Sequence, residues 1–201
     1  MGNSSSKEQE VLLPKPKLKG NISLEEAIYK RRSHRRFLPK DLTIEQIGQL
    51  LWVAQGITDE AQNLRAAPSA GALYPMEIYL VKSDGLFHYS VKGHKLTSIS
   101  KDDLRKQLQA AALFQGFVSQ APVDIIICAV YERVTGKYGR RGIQYVHMEA
   151  GHAAQNIHLQ AVAEGLGSVS VGAFNSNDVK KALNLPADQE PLYIIPVGYV
   201  K

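Results

Sequence analysis

The chain has 201 residues, 44% of them hydrophobic, and a formal net charge of +5. That length and apolar fraction support one sizeable core in one domain. No apolar run approaches the ~18 residues of a membrane-crossing helix. The lone cysteine, Cys128, excludes an intrachain disulfide and a cysteine-based metal site.

Residues 1–20 read as an extended or disordered arm, with Lys7, Lys15, Lys17 and Lys19 around Pro14 and Pro16. Residues 21–201 read as a single domain. The start, Met1 to Lys7, lacks the apolar middle of a secretory signal. Gly2 and Ser6 match the spacing for N-myristoylation, but that motif is short and a disordered polar start is the better explanation. With one buried-looking cysteine, the cytoplasm is the expected compartment.

A short helix follows. Ser23 and Glu26 form a capping-box pattern, and Leu24, Ala27 and Ile28 supply an apolar face. Directly behind it lies Lys30-Arg31-Arg32-Ser33-His34-Arg35-Arg36-Phe37, with five cations in eight residues. Cations at a helix C-terminus are favoured by its dipole. The same run offers charge-assisted donors and a hydroxyl suited to a phosphate and the polar edge of a heterocycle. A basic face interleaved with aromatics is missing, as is helix-turn-helix spacing, so nucleic acid is not expected as a partner.

Thr43 to Gln55 is a helix, with Thr43 and Gln46 as a capping box, an apolar face of Ile44, Ile47, Leu50, Leu51 and Ala54, and Gly56 as its stop. Residues 57–71 read as a loop. Glu77–Val81 and Leu86–Val91 form a hairpin about Gly85, and Lys101–Leu113 is a weakly patterned helix. Val123 to Tyr131 is a continuous apolar run, expected as a central strand covered on both faces. From Ile143 to Gly165 the apolar residues cover most of a helix circumference, so a second subunit is expected to supply part of the cover. A strand at 168–171, a helix from Asn177 and a strand at 193–200 complete an α+β fold. It is a layered arrangement with a mixed central sheet of four or five strands flanked by helices.

Several familiar sites are excluded. His147, His152 and His158 are spaced by five and six, which places no two imidazoles on one turn for a metal. Ser69 in Pro-Ser-Ala-Gly is not a nucleophile elbow. The glycine-rich segment 165–174 leaves a helix and enters a strand, the reverse of a dinucleotide-binding turn.

Four ordered motifs carry a resemblance. They are Arg-Arg-Ser-x-Arg-x-Phe at 31–37, Pro-Ser-Ala-Gly-Ala-Leu-Tyr-Pro at 68–75, Gly-His-Ala-Ala-Gln-Asn-Ile-His-Leu-Gln-Ala at 151–161, and Gly-Leu-Gly-Ser followed by Val-Gly-Ala-Phe at 165–174. Over about residues 22–200 the chain resembles the nitroreductase family, closest to the subgroup with thiazole- and oxazole-forming dehydrogenases. The resemblance implies an interwoven homodimer with FMN at the subunit interface. It implies that Arg31, Arg32 and Ser33 meet the FMN phosphate and ribityl chain, and that Arg35 lies near the ring edge that becomes negative on reduction. Pro68, Ser69, Ala70 and Gly71 would reach the flavin from the other subunit, and Val171, Gly172 and Ala173 would present backbone amides to the ring. Lys201 would stand where other members bring basic residues to the phosphate. Ala72 and Tyr74 replace the asparagine and glutamine of many nitroreductases, following the ring-forming subgroup. The implied activity is ping-pong transfer of two electrons from NAD(P)H to a nitroaromatic, quinone or flavin, with no catalytic side chain and no metal. The alternatives are a peptide azoline oxidase and a non-catalytic flavin-binding module. Substrate selection is expected at residues 111–119 and 131–142, with Phe114, Phe117, Tyr131 and Tyr138 as candidate ring contacts.

Overall fold

The computed structural model describes residues 9–200, so Gly2 and Lys201 lie outside the described residues. In chain order the elements are β1 (Glu10–Leu12), α1 (Leu24–Lys30), α2 (Ile44–Gln55), β2 (Ile57–Asp59), β3 (Leu64–Arg65), β4 (Met76–Lys82), β5 (Gly85–Ser90), β6 (Lys95–Ser100), α3 (Arg105–Ala111), α4 (Gly116–Gln120), β7 (Val123–Ala129), α5 (Glu132–Tyr138), α6 (Gly142–Ala163), β8 (Gly167–Ser168), α7 (Ser176–Leu183) and β9 (Glu190–Gly198).

Both predicted caps form. The Ser23 hydroxyl accepts from the Glu26 N–H, although the Glu26 carboxylate turns to Lys30 instead of closing the box. At α2 the box is complete, with Thr43 and Gln46 bonding reciprocally. Such caps contribute on the order of 1 kcal/mol each.

The main sheet runs β1-β6-β5-β4-β7-β9-β8, seven strands where the sequence reading expected four or five. Every pairing between its named strands is antiparallel, so the sheet is not mixed; among the described residues the one parallel contact is the isolated Ser33–Ser168 bridge. Two tight hairpins, β4–β5 and β5–β6, impose that sense. Part of the N-terminal arm belongs to the sheet: β1 pairs with β6, with Val11 opposite Leu96. Residues 57–71 hold the small β2–β3 hairpin before the Pro68 turn.

Helices cover both faces. On one side α2 and α6 pack on Ile78, Leu80, Ile125 and Ile127. On the other, α3, α4 and α7 pack on Tyr79, Val81, Ile126, Cys128 and Ile194. β7 lies between β4 and β9, and all of its residues are buried, as its unbroken apolar run requires. Its one charged residue, Asp124, is fully buried, and neither carboxylate oxygen finds a partner among the described residues. Burial pushes its pKa well above the carboxylate range, only partly opposed by Arg105.

The long helix α6 is covered on one side alone. Val146, Glu149, Ala150, Ala153, Ala154, Ile157, His158 and Ala161 face the core. Met148, 53% exposed, marks an opposite face that continues through His152 and Gln155. Leu24, Ile28 and Tyr29 of α1 are also exposed, so the apolar face of that helix is only partly used within the chain.

At the sheet's edge β8 lies against the arginine-rich segment. His34 N–H donates to the Ser168 carbonyl at 3.0 Å, and Phe37 bridges to Val200. Gly167 makes this approach possible, because a methyl there would collide with Val200 and with the His34 Cβ. Gly167→Ala is therefore expected to lower the free energy of unfolding by about 1–3 kcal/mol, as overpacking does. Urea denaturation of the two proteins measures it.

Candidate active site

The predicted residues assemble into two clusters. The first joins the arginine run to the loop after β8. Arg31 is half-buried, while Arg32, Ser33, Arg35, Gly172 and Ala173 are exposed; Val171 is buried and pairs with Ile194. Arg32 folds back onto α1, donating to the Tyr29 and Arg31 carbonyls at 2.9 and 2.7 Å, so it serves the helix terminus. Arg35 stacks over Phe117 of α4, 5.8 Å from the ring centre. From the same segment the Gln115 amide donates to the Ala173 carbonyl at 2.9 Å. Thus Arg35, Phe117 and the Gly172–Ala173 backbone share one surface. No carboxylate among the described residues pairs with Arg31, Arg32, Arg35 or Arg36. Four cations without a counter-charge fit an anionic group such as a phosphate.

His158 underpins this cluster from α6. Its Nδ1 lies 2.7 Å from the Ser168 Oγ and its Nε2 2.6 Å from the Ser170 Oγ. A neutral imidazole satisfies both by donating to one hydroxyl and accepting from the other. Burial, and then the charge of Arg31, hold it in that form, pushing its pKa down to about 4. His158 therefore anchors the strand from which Val171–Ala173 departs.

The second cluster surrounds Pro68–Gly71. Gly71, Ala72 and Tyr74 all have positive φ, at 64°, 54° and 47°. For alanine and tyrosine that conformation costs roughly 1–2 kcal/mol each. Ser69 holds the turn: its hydroxyl accepts from the Tyr74 N–H at 2.9 Å, and its carbonyl accepts from the Ala72 N–H at 3.1 Å. Across the turn, a methyl on Gly71 would lie 2.8 Å from the Tyr138 hydroxyl and 3.1 Å from the Lys137 Nζ. Behind the turn is a buried polar group that motif reading did not single out. The Gln55 amide donates to Glu149 at 3.4 Å, and Arg65 donates to Gln55 at 3.0 Å while stacking on Tyr74. Burial pushes the Glu149 carboxyl up to about 7, against the opposing bond from Gln55. The signal in the sequence was a lone carboxylate among Val146, Ala150 and Ala153 on a helix otherwise reading as core.

Within one chain the clusters do not meet. Glu149 and His158 are nine residues apart on α6, hence about 13 Å along its axis and at opposite edges of its buried arc. The open face of α6 lies between them. Of the candidate ring contacts, Phe117 belongs to the first cluster and Tyr138 to the second. Tyr131 is bonded to His147 at 2.6 Å, and Phe114 is 77% exposed at a left-handed tip. Among the described residues no group of three or more His, Cys, Asp and Glu side chains is placed to hold a metal.

The profile of the nitroreductase family matches residues 28–199. A protein of Methanocaldococcus jannaschii provisionally named a nitroreductase is 43% identical over 183 residues, covering 88% of this chain and 91% of the relative. The Escherichia coli microcin B17-processing protein McbC is 26% identical over 155 residues, 72% of this chain and 57% of McbC. A crystal structure from Ralstonia eutropha, provisionally named a nitroreductase, superposes with a TM-score of 0.88 at 27% identity, over 98% of this chain and 91% of that one.

The two buried groups oppose each other in pH. His158 binds its proton less readily folded than unfolded, so it withdraws stability as pH falls from about 6.5 towards 4. Glu149 binds its proton more readily folded, so it withdraws stability as pH rises from about 4.5 through 7. His158→Gln is expected to flatten the acid limb and Glu149→Gln the alkaline limb, each by on the order of 2–3 kcal/mol. Urea unfolding across that range measures both.

Proposed function

The chain belongs to the nitroreductase family of oxidoreductases, and from that premise we propose that it is an FMN-dependent enzyme passing two electrons from NAD(P)H to an organic acceptor. A nitroaromatic, a quinone or a free flavin is the acceptor class. FMN, when bound, supplies the reversible two-electron chemistry. Arg31 and Ser33 would hold its phosphate end, with Lys201, which lies outside the described residues, as a further cation there. Arg35 would sit at the ring edge that gains charge, and the Gly172–Ala173 backbone would offer its amides without a side chain in the way. The uncompensated arginine cluster beside that exposed backbone is the observation that carries this reading.

The homodimer is part of the same proposal. The open face of α6 separates the two clusters, so a two-fold partner covering it would bring Pro68–Gly71 of one protomer to the arginine cluster of the other. A groove of about 350 Å³ lined by Leu24, Ala27, Leu159 and Ala163 borders that face and offers further apolar surface for the contact. The protein is proposed to act in the cytoplasm, without nucleic acid or membrane.

A second reading, peptide azoline oxidation, draws support from the likeness to McbC, of which the chain spans little more than half. Turnover confined to a peptide heterocycle, with none on quinones or nitroaromatics, would select it. Bound FMN that no nicotinamide and no peptide reduces would instead indicate a flavin-binding module.

Purified protein loaded with FMN is expected to lose its visible flavin absorption on anaerobic addition of NADPH or NADH. No flavin binding would sink the proposal. Arg31→Ala is expected to weaken FMN by about 10- to 150-fold, the worth of one charged hydrogen bond, read by fluorescence titration. Met148→Lys, on the open face of α6, is expected to yield monomers by sedimentation and to lose FMN with the dimer.

A further inference from the structure

Two cavities that the proposed reaction does not use adjoin the N-terminal arm. One, of about 640 Å³, has an apolar lining that includes Leu13, Leu18, Trp52 and Tyr89. The other, of about 480 Å³, is lined in part by Asn63, Arg65 and Lys92. Ile57, Glu60, Val91 and Gly93 line both, so the two form one groove with an apolar end and a cationic end. Its size is that of a small-molecule site.

One wall of the apolar end is the arm itself, and it is fixed in place. The Leu13 N–H donates to the His94 carbonyl at 3.0 Å, and the His94 Nε2 lies 3.0 Å from the Pro14 carbonyl. Gln49 exchanges two bonds with the Lys17 backbone, at 2.8 and 3.0 Å. Burial holds the His94 pKa below the ordinary histidine range. A carbonyl only accepts, so neutral His94 carries its hydrogen on Nε2, and the Tyr89 hydroxyl donates to Nδ1, 2.8 Å away. The Trp52 Nε1–H likewise donates to the Ile57 carbonyl at 3.1 Å. Both aromatic side chains have their polar tips satisfied within the chain, so what they offer a ligand is hydrocarbon surface.

At the other end a cation is left incomplete. The Arg65 Nη1 donates to Gln55 at 3.0 Å, its Nε is buried without a partner, and no bond among the described residues takes Nη2. No carboxylate among the described residues pairs with Arg65 or Lys92. Glu149 is linked to Arg65 only through Gln55.

We propose that this groove binds a small aromatic carboxylate, with its ring against Trp52 and Tyr89 and its carboxylate on Arg65 and Lys92. The unused edge of a guanidinium matches a carboxylate in charge and in shape, and the flat faces of Trp52 and Tyr89 suit a ring. Glu60, exposed where the two cavities meet, repels an anion there and so directs the carboxylate past it to the cationic end. None of the residues proposed to meet FMN lines either cavity, so the inference stands apart from the FMN reading.

Trp52 is the chain's only tryptophan, so its emission reports on the groove. The full chain, with and without FMN, is titrated with 3-phenylpropionate and with its uncharged counterpart, 3-phenylpropan-1-ol, by tryptophan fluorescence and by calorimetry. One acid per chain is expected to bind in both states, and the alcohol at least about tenfold more weakly. Val91→Phe, which adds volume where the cavities meet, should abolish binding. Lys92→Ala should weaken the acid by about two- to fivefold, and Glu60→Gln should tighten it by a similar factor. Arg65→Met should weaken the acid by about 10- to 150-fold and leave the alcohol unchanged. If that variant does not fold, the other three decide. The inference is overturned by the absence of saturable binding, by an alcohol that binds as tightly as the acid, or by an acid indifferent to Val91→Phe. Displacement of FMN by the acid would also overturn it, since the acid would then occupy the flavin site.

Discussion

Half-burial of α6 is the constraint from which the rest of the molecule follows. About half of its circumference packs on the sheet and α2, and the two edges of that buried arc carry Glu149 and His158. Each edge residue is tied to another element, Glu149 to Gln55 at the end of α2 and His158 to the strand at Ser168 and Ser170. The helix thus acts as a spacer between the two clusters and keeps them apart within one chain. A helix wholly buried in its own subunit would leave no room between them for the second subunit proposed above. A helix with a narrow buried stripe would not carry both edge residues.

The two clusters use different physics. The arginine cluster is rich in charge and lacks carboxylate partners, which suits it to the phosphate proposed for it. Its backbone frame is held by neutral groups: a histidine pushed far from protonation and two serine hydroxyls. The turn cluster is the reverse, with most of its polar groups paired to one another and backbone strain held in place by the hydroxyl and carbonyl of Ser69.

Much of the fold was legible because local signals and burial agreed. The caps at Ser23 and Thr43, the apolar run of β7 and the apolar girth of α6 each had one physical meaning, and each formed. The short strands were not legible. β1 and β8, of three and two residues, are held by pairing to β6 and β9 and carry no periodicity of their own. The antiparallel sense of the sheet depends on strand order, which local patterns do not state. In the candidate site, the arginine run stood out because its charges are consecutive. Glu149 did not, because its meaning comes from Gln55 and Arg65, distant in sequence and brought to it by packing.

The lone cysteine has a consequence of a different kind. Cys128 is fully buried in β7, flanked by hydrogen-bonded strands on both sides, and burial pushes its thiol far above the ordinary range. In the folded protein it is therefore inert to electrophiles, including the quinones proposed as acceptors. A reagent reaches the sulfur only when the centre of the sheet opens. The rate of thiol labelling then reports global opening directly, a clock for the lifetime of the folded state that needs no engineered probe.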